Sequence, residues 1–206
     1  MEWDGLPLTN KLRGIMSKPL IVMALEAEGQ GKLEALGFDV LYCGVGKVNA
    51  AYHLTAKLRD AVNSGTKYSY VLNMGSAGSS KFKTGDVVAA DKFVQRDMDA
   101  TGIGFEYGET PFEEGDKVIS FSKIFDSLAH GICGSGDSFL QGKPPIDCDI
   151  IDMEAYALAK ICRNEGVEFA CVKYITDGAD ESASTDWQTN LKHASDAFVE
   201  ILQRME

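Results

Sequence analysis

Short apolar runs alternate with helical spacings of apolar residues along most of this chain. Continuous apolar or β-branched runs indicate buried strands, and small or apolar residues recurring at i, i+3 and i+4 indicate amphipathic helices. Because the two patterns alternate, they predict an α/β fold with a largely parallel sheet. The predicted strands are 20–24, 38–43, 70–74, 85–94 and 167–176, the predicted helices are 48–62, 153–165 and 184–205, and 118–125 is a strand or short helix.

Length and composition favour one domain behind a short N-terminal arm. The chain has 206 residues, of which 45% are hydrophobic, so it can bury the core of one α/β domain. Residues 1–19 contain acidic residues, Gly5 and Pro7 and no apolar segment of the signal-peptide type. We therefore expect an arm over residues 1–19 and a single domain over residues 20–206.

The net charge limits the classes of binding partner, and the cysteine pattern indicates the cellular compartment. The net charge of -11 at pH 7 argues against nucleic acid and anionic membranes, which both require basic patches. No apolar run approaches the ~20 residues of a membrane span. Five scattered cysteines without a C-x-x-C pair are typical of free thiols in a reducing compartment. We expect a cytoplasmic protein with a small-molecule ligand, no metal and no cofactor.

Carboxylates stand at both ends of the predicted helix–strand unit 153–176. Glu154 lies at the start of the helix, and Asp177 follows the strand at its carboxyl end. Ligands of open α/β sheets bind at this edge, so the two acids can converge on one pocket. Alternatively, Glu154 is a first-turn helix charge and Asp177 a turn or N-cap residue. Glu28 follows the predicted strand 20–24, and the same two interpretations apply to it.

Glycine-rich segments follow three of the predicted strands. G-S-A-G-S-S at 75–80 contains only small residues, which suits a flat ligand or a sugar that must approach the main chain. A tight surface turn is the alternative. G-V-G-K at 44–47 lacks the spacing of a phosphate loop, so we interpret it as structural. Phe139 follows a glycine–serine turn and is either a stacking platform for a planar ring or a core residue.

The section 95–112 has few core signals. A loop of this length inside a compact domain is usually functional or packed by a partner. Its apolar side chains would be costly to leave in water, which indicates an oligomer interface. They are Ile103, Phe105, Tyr107, Pro111 and Phe112. In the last predicted helix, Trp187 stands at helical spacing with other apolar residues, and we interpret it as core.

Five sequence blocks, in this order, resemble the purine and uridine phosphorylase superfamily. With R-D-M-D-A-T-G-I-G-F-E-Y-G-E-T-P they cover most of residues 20–200, and they are most similar to the nucleosidases that act on 5'-methylthioadenosine and S-adenosylhomocysteine. The blocks are V-M-A-L-E-A-E ending at Glu28, G-V-G-K-V-N-A-A from Gly44, N-M-G-S-A-G from Asn73, G-S-G-D-S-F with D-M-E-A around Phe139 and Glu154, and K-Y-I-T-D-G-A-D from Lys173.

The resemblance implies a three-layer α/β/α sandwich around a mixed, largely parallel sheet, and a homodimer. It implies that Asp177 is a general acid that protonates N7 of adenine, and that Glu28 positions and deprotonates the attacking water. Glu154 would hold the ribose hydroxyls and stabilise oxocarbenium charge. The implied substrate-binding residues are Leu25, Ser76, Ala77, Gly78, Phe139, Leu140, Met153 and Lys173. The implied residues in the neighbouring subunit's pocket are Ile103, Phe105, Tyr107 and Pro111.

The chain also departs from the family pattern. The segment between Glu28 and Gly44 is short and lacks a β-hairpin, Lys173 replaces an arginine, and Leu25 replaces a methionine. Phosphorylases of the superfamily carry a phosphate-binding arginine where this chain has Asn73, and an anion site without its cation is hard to justify. We therefore predict hydrolysis, with nucleoside phosphorolysis as the alternative. Futalosine-type nucleosides are alternative substrates, and a non-catalytic nucleoside-binding module is an alternative of another class.

Overall fold

The computed structural model describes residues 19–140, 142–180 and 183–204. The predicted arm falls almost wholly outside these ranges and stays a prediction. The strands are β1 Leu20–Met23, β2 Asp39–Tyr42, β3 Tyr70–Gly78, β4 Val87–Gln95, β5 Ile119–Ser120, β6 Ala129–Ser135, β7 Ile150–Asp152 and β8 Glu168–Asp177. The helices are α1 Glu26–Gly29, α2 Lys32–Ala35, α3 Lys47–Asn63, α4 Ala155–Glu165 and α5 Ala183–Gln203, and a 3-10 turn spans Thr101–Ile103.

The strands form one mixed sheet that closes on itself. Its order is β2-β1-β3-β7-β6-β4-β5, and β8 pairs with both β3 and β4. β1 is parallel to β2 and β3, and β3 is parallel to β8. β4 runs antiparallel to β8 and parallel to β6, which is parallel to β7. The carboxyl ends of β1, β3 and β8 therefore meet at one edge of the sheet.

Helices cover the sheet on two sides. Alternate residues of a strand point to opposite faces, and β1 divides in this way. Leu20 and Val22 belong to the core that includes Leu54 of α3 and residues of α4. Ile21 and Met23 belong to the second core, with residues of α2 and α5. The predicted three-layer α/β/α sandwich around a mixed sheet is thus confirmed.

The glycine-rich segment predicted as a turn after residue 74 is part of a strand. β3 continues through Gly78 and pairs with β8 as far as Asp177. A Cβ atom on Gly78 would lie 2.6 Å from the Asp177 carboxylate oxygen Oδ1. Glycine is therefore needed at this position because the main chain of β3 passes directly beside that carboxylate.

Two elements near the site differ from the prediction. β7 was not predicted, because its three residues are too few to show a period. Helix α4 begins at Ala155, two residues after the predicted start, with Glu154 as its N-cap residue. Between Glu28 and Gly44 the chain completes α1 and forms α2 and the single strand β2, as expected for a segment without a β-hairpin.

Candidate active site

A cavity of about 350 Å³ lies where β1, β3 and β8 end and β7 passes into α4. Its volume falls in the range of about 300–1,000 Å³ that is usual for small-molecule sites. Glu28, Glu154 and Asp177 all line it, although they are far apart in sequence. Of the substrate-binding residues implied by the resemblance, seven line the same cavity: Leu25, Ser76, Ala77, Gly78, Phe139, Leu140 and Met153.

The Glu28 carboxylate is buried and held by donors from two segments. Its Oε2 accepts hydrogen bonds from the backbone N–H groups of Ala24 at 3.1 Å and Leu25 at 3.0 Å. Its Oε1 accepts from the backbone N–H and the hydroxyl of Ser76, both at 2.8 Å. The turn after β1 and the end of β3 therefore fix the carboxylate in one orientation against the cavity.

The Asp177 carboxyl group stands at the end of β8. Its Oδ1 accepts from the Ala179 N–H at 3.0 Å, and its Oδ2 accepts from the Thr176 hydroxyl at 2.8 Å. Burial raises the pKa of Asp177 above its usual value, more than these hydrogen bonds lower it. A carboxyl group in this environment holds a proton at higher pH than a free aspartic acid does, as a general acid must.

The Glu154 carboxylate faces the start of α3. Its Oε1 accepts a hydrogen bond of 2.8 Å from the Gly46 N–H. The segment 44–47, interpreted from sequence as structural, thus contacts a candidate catalytic group, and Val45 lines the cavity. Burial, together with the nearby charge of Asp152, raises the pKa of Glu154 to about 7. Ionised Glu154 is suited to stabilise positive charge inside the cavity.

Lys173 lies outside the described cavity lining, although its ion-pair partner Asp152 is part of that lining. Its side chain is 1% exposed, and its ammonium group contacts Asp152 Oδ2 at 2.8 Å. Asp152 also accepts from the Ser135 hydroxyl and, at 2.9 Å, from the Ala155 N–H. Burial alone would raise the pKa of Asp152, but Lys173 lowers it. The contact of Lys173 with substrate that the resemblance implies stays a prediction.

The segment that carries Phe139 and Leu140 is fastened by a buried arginine. The guanidinium of Arg96 donates to the carbonyl of Gly136 at 3.1 Å, to the carbonyl of Ser138 and to the Ser138 hydroxyl at 3.1 Å. The Phe139 ring is 49% exposed at the cavity, which excludes the interpretation as a core residue. Arg96 was missed because it lies at the start of the section 95–112, where no periodic pattern marks it.

Trp187 was predicted as a core residue and instead lines the cavity. Its indole N–H donates to the Ser76 hydroxyl at 3.0 Å. Helical spacing groups Trp187 with Leu191 and Ala194, which are buried, and so it could not reveal this role. Its place ten residues after Asp177, near the start of α5, was the one signal that it could reach the site.

The residues expected to reach a neighbouring subunit lie outside the cavity of their own chain. Ile103 is exposed, whereas Phe105 and Tyr107 are half-buried. Phe105 packs edge-on against Phe112, with ring centroids 5.2 Å apart, and Phe112 is 90% exposed. The predicted contact of Ile103, Phe105, Tyr107 and Pro111 with a second subunit stays a prediction.

Two features are absent from the described ranges, a metal-binding cluster and a membrane-spanning helix. No group of three or more His, Cys, Asp and Glu side chains there is arranged to hold a metal ion. Within the same ranges, none of the helices combines the length and apolar character needed to cross a membrane.

Comparison with solved structures identifies close matches in fold. The 5'-methylthioadenosine/S-adenosyl homocysteine nucleosidase of Helicobacter pylori superimposes with a TM-score of 0.80 at 23% identity, covering 92% of this chain and 97% of that chain. Futalosine hydrolase of Helicobacter pylori strain 26695 gives 0.80 at 23% identity, covering 93% and 98%. The S-adenosylhomocysteine nucleosidase of Streptococcus pyogenes gives 0.76 at 23% identity, covering 91% and 95%.

A family model provides the second comparison. The model described as the phosphorylase superfamily matches residues 31–205, which is most of the chain. This range contains the glycine-rich end of β3, the segment around Phe139, and both Glu154 and Asp177. Sequence blocks, fold and family model therefore agree, and the chain belongs to the phosphorylase superfamily.

Proposed function

We propose that this chain is an N-glycosyl hydrolase that releases the free base from adenine nucleosides. The observation that carries the proposal is the convergence of Glu28, Glu154 and Asp177 on one cavity beside Phe139. Breaking an N-glycosidic bond requires a proton donor to the base, an activated water and stabilisation of the positive sugar. Three carboxyl groups in different environments can divide these tasks among them.

The proposed reaction assigns one step to each acid. Asp177, whose raised pKa favours the protonated form, donates its proton to N7 of the purine. The bond between C1' and the base then breaks, and its electron pair leaves with the neutral base. Glu154 binds the ribose hydroxyls and stabilises the oxocarbenium charge. Glu28 takes a proton from water as the water oxygen bonds to C1'.

Water is favoured over phosphate as the nucleophile. Asn73 stands where phosphorylases carry an arginine, and its side chain is used inside the sheet. Its Nδ2 donates to the Val22 carbonyl at 3.0 Å, and its Oδ1 accepts from the Cys171 thiol at 3.5 Å. Among the described residues of the lining, Arg96 is the only cation, and three of its hydrogen bonds go to residues 136 and 138.

The substrates that we favour are 5'-methylthioadenosine and S-adenosylhomocysteine. Two of the similar structures are nucleosidases named for these compounds, and a third is a futalosine hydrolase. Phe139 would stack on the purine, and the backbone of Leu140 would hydrogen-bond to its edge. Such an enzyme would serve methionine salvage. The free cysteines, four of them buried, support a place in the cytoplasm.

The test is a panel of matched adenine and hypoxanthine nucleosides, futalosine included, incubated with the protein with and without phosphate. We expect release of adenine and free sugar at the same rate in both conditions. A requirement for phosphate, with a sugar 1-phosphate as product, would replace hydrolysis by phosphorolysis. Faster hydrolysis of futalosine than of the adenine nucleosides would identify futalosine as the preferred substrate. Binding of nucleosides without release of base would identify the protein as a non-catalytic nucleoside-binding module.

We also propose a homodimer in which the section 95–112 of one chain approaches the cavity of the other. Ile103 and Phe112 are exposed on that section, and Val48 and Tyr52 are exposed one turn apart on α3. Exposed apolar side chains that group together on a surface are typical of an interface. Phe105, Tyr107 and Pro111 are the residues expected to reach the partner's cavity.

A further inference from the structure

The Ser76 hydroxyl connects an aromatic side chain to a candidate catalytic base. It accepts the indole N–H of Trp187 at 3.0 Å, and it donates to Glu28 Oε1 at 2.8 Å. A hydroxyl has one proton, and an ionised carboxylate and an indole N–H each have only one possible role. The directions of both hydrogen bonds are therefore fixed. Trp187 supplies the donor that holds the Ser76 oxygen while its proton points at Glu28.

The Glu28 carboxylate is saturated with donors. It has two oxygens with about four acceptor positions. These positions are filled by the N–H groups of Ala24, Leu25 and Ser76 and by the Ser76 hydroxyl. If Glu28 is to accept a proton from water, one donor must move aside.

Only one of the four donors can move without moving the main chain. The three N–H groups belong to the backbone of β3 and of the turn between β1 and α1, so they cannot turn independently. The Ser76 hydroxyl can rotate about its C–O bond and point its O–H group away from Glu28 without breaking the O–H bond. Access of water to Glu28 therefore depends on this rotation, and the rotation is productive only if the Ser76 oxygen stays in place.

Trp187 is itself held near the site. Its helix, α5, is joined to the end of β8 by a hydrogen bond of 3.0 Å from the Asn190 amide to the Thr176 carbonyl. Leu191 and Ala194, further along the same helix, are buried in the protein. The indole N–H is thus presented to Ser76 by a helix attached to the strand that carries Asp177.

We propose that Trp187 is a positioning residue that acts through Ser76 on Glu28, keeping the hydroxyl oxygen in place while its proton turns to admit water. The inference rests on the proposed hydrolysis, since it concerns activation of the water in that reaction. It assigns the indole N–H to the water step and not to binding of the base, which the proposed function gives to Phe139 and Leu140.

The test compares Trp187→Phe, Ser76→Ala and the double variant in steady-state hydrolysis. A neutral hydrogen bond corresponds to roughly a 3- to 10-fold change in rate, so Trp187→Phe should lower kcat by that factor with KM within about twofold. Benzothienylalanine at position 187 keeps both rings and lacks the N–H, and it should behave in the same way. The double variant should lose no more activity than Ser76→Ala alone, within about twofold.

Each other outcome is informative. Losses that multiply in the double variant would overturn the action through Ser76, and so would a rise in KM with unchanged kcat. Full kcat with benzothienylalanine would show that the ring, and not its N–H, matters, which also overturns the proposal. A parent protein that releases no base from any nucleoside would instead overturn the proposed function, and the inference with it.

Discussion

At the scale of single residues, the first prediction concerns Asp177→Asn. An amide nitrogen in place of Oδ2 can donate to the Thr176 hydroxyl, whose own proton can turn to the Ala77 carbonyl at 3.3 Å. The amide oxygen can still accept the Ala179 N–H. We therefore expect the variant to unfold at the parent temperature and to lose about 10²- to 10⁴-fold in kcat. Activity near that of the parent would remove Asp177 as the general acid.

Glu28→Gln is expected to behave differently. The amide nitrogen would face the N–H groups of Ala24 and Leu25 in one orientation, and in the other it would face the Ser76 N–H while the Ser76 hydroxyl could turn to accept it. Each group left unsatisfied costs about 1–3 kcal/mol. The variant should therefore be inactive and also measurably less stable in thermal unfolding than Asp177→Asn. Equal stability of the two variants would contradict the donor arrangement around Glu28.

A third prediction follows from the raised pKa of Glu154. Buried Glu154 titrates at about 7, against 4.5 for the exposed group. The folded state then binds the proton more tightly, so stability falls as pH rises from about 4.5 to about 7. Glu154→Gln keeps an acceptor for Gly46 and removes this loss. The variant's free energy of unfolding minus that of the parent should be about 1–3 kcal/mol larger at pH 8 than at pH 5, so the variant gains relative stability as pH rises. A difference that does not change with pH would contradict this account.

The three acids could be predicted as candidates because each follows a strand or begins a helix, where side chains reach the sheet edge. The role of Trp187 could not be predicted, because its hydrogen-bond acceptor lies 111 positions away in sequence. The ion pair of Lys173 could not be predicted for a similar reason. A lysine in a buried strand requires a negatively charged partner, but the sequence alone does not show that this partner is Asp152.

At the scale of elements, the pair Lys173–Asp152 links β8 to β7. Removing one member of a buried ion pair leaves an uncompensated charge, at a cost of about 3–5 kcal/mol. We expect Lys173→Met to lose this much in urea unfolding. The double variant Lys173→Met with Asp152→Asn removes both charges and should regain most of the loss. A loss below about 1 kcal/mol in the single variant, or no recovery in the double, would contradict the importance of the pair.

Long elements could be predicted because the repeat of apolar positions is visible over several helical turns or over several residues of a strand. The helices α3 and α4 and the strand β8 belong to this class. β7 could not, because three residues carry too little pattern, and the end of β3 was mistaken for a turn because its residues are glycine, serine and alanine. Its glycines, Gly75 and Gly78, lie close to the carboxylates of Glu28 and Asp177 and do not reverse the chain.

At the scale of the molecule, the α/β class could be predicted from the alternation of elements, and the resemblance supplied the three layers. The closure of the sheet could not be predicted from residue patterns. β8 pairs with β3 and β4 at once, and β7 joins β3 to β6. These pairings join residues far apart in sequence, which local propensity does not specify. They bring three acids to one cavity in a chain whose net charge is already -11.

The last prediction is that the chain is a dimer whose activity depends on assembly. Val48 and Tyr52, at 78% and 69% exposure, give α3 an apolar face, and Phe112 extends from the section 95–112. A charge placed in a buried interface must be desolvated, which weakens association. In sedimentation equilibrium, Tyr52→Glu and Phe112→Glu should each shift the dimer toward monomer and lower kcat/KM. Gln203→Glu adds the same charge at the end of α5, in the opposite helical layer, and should change neither. A parent protein that is monomeric and fully active would contradict the shared site, because no neighbouring subunit would then be needed to complete the cavity.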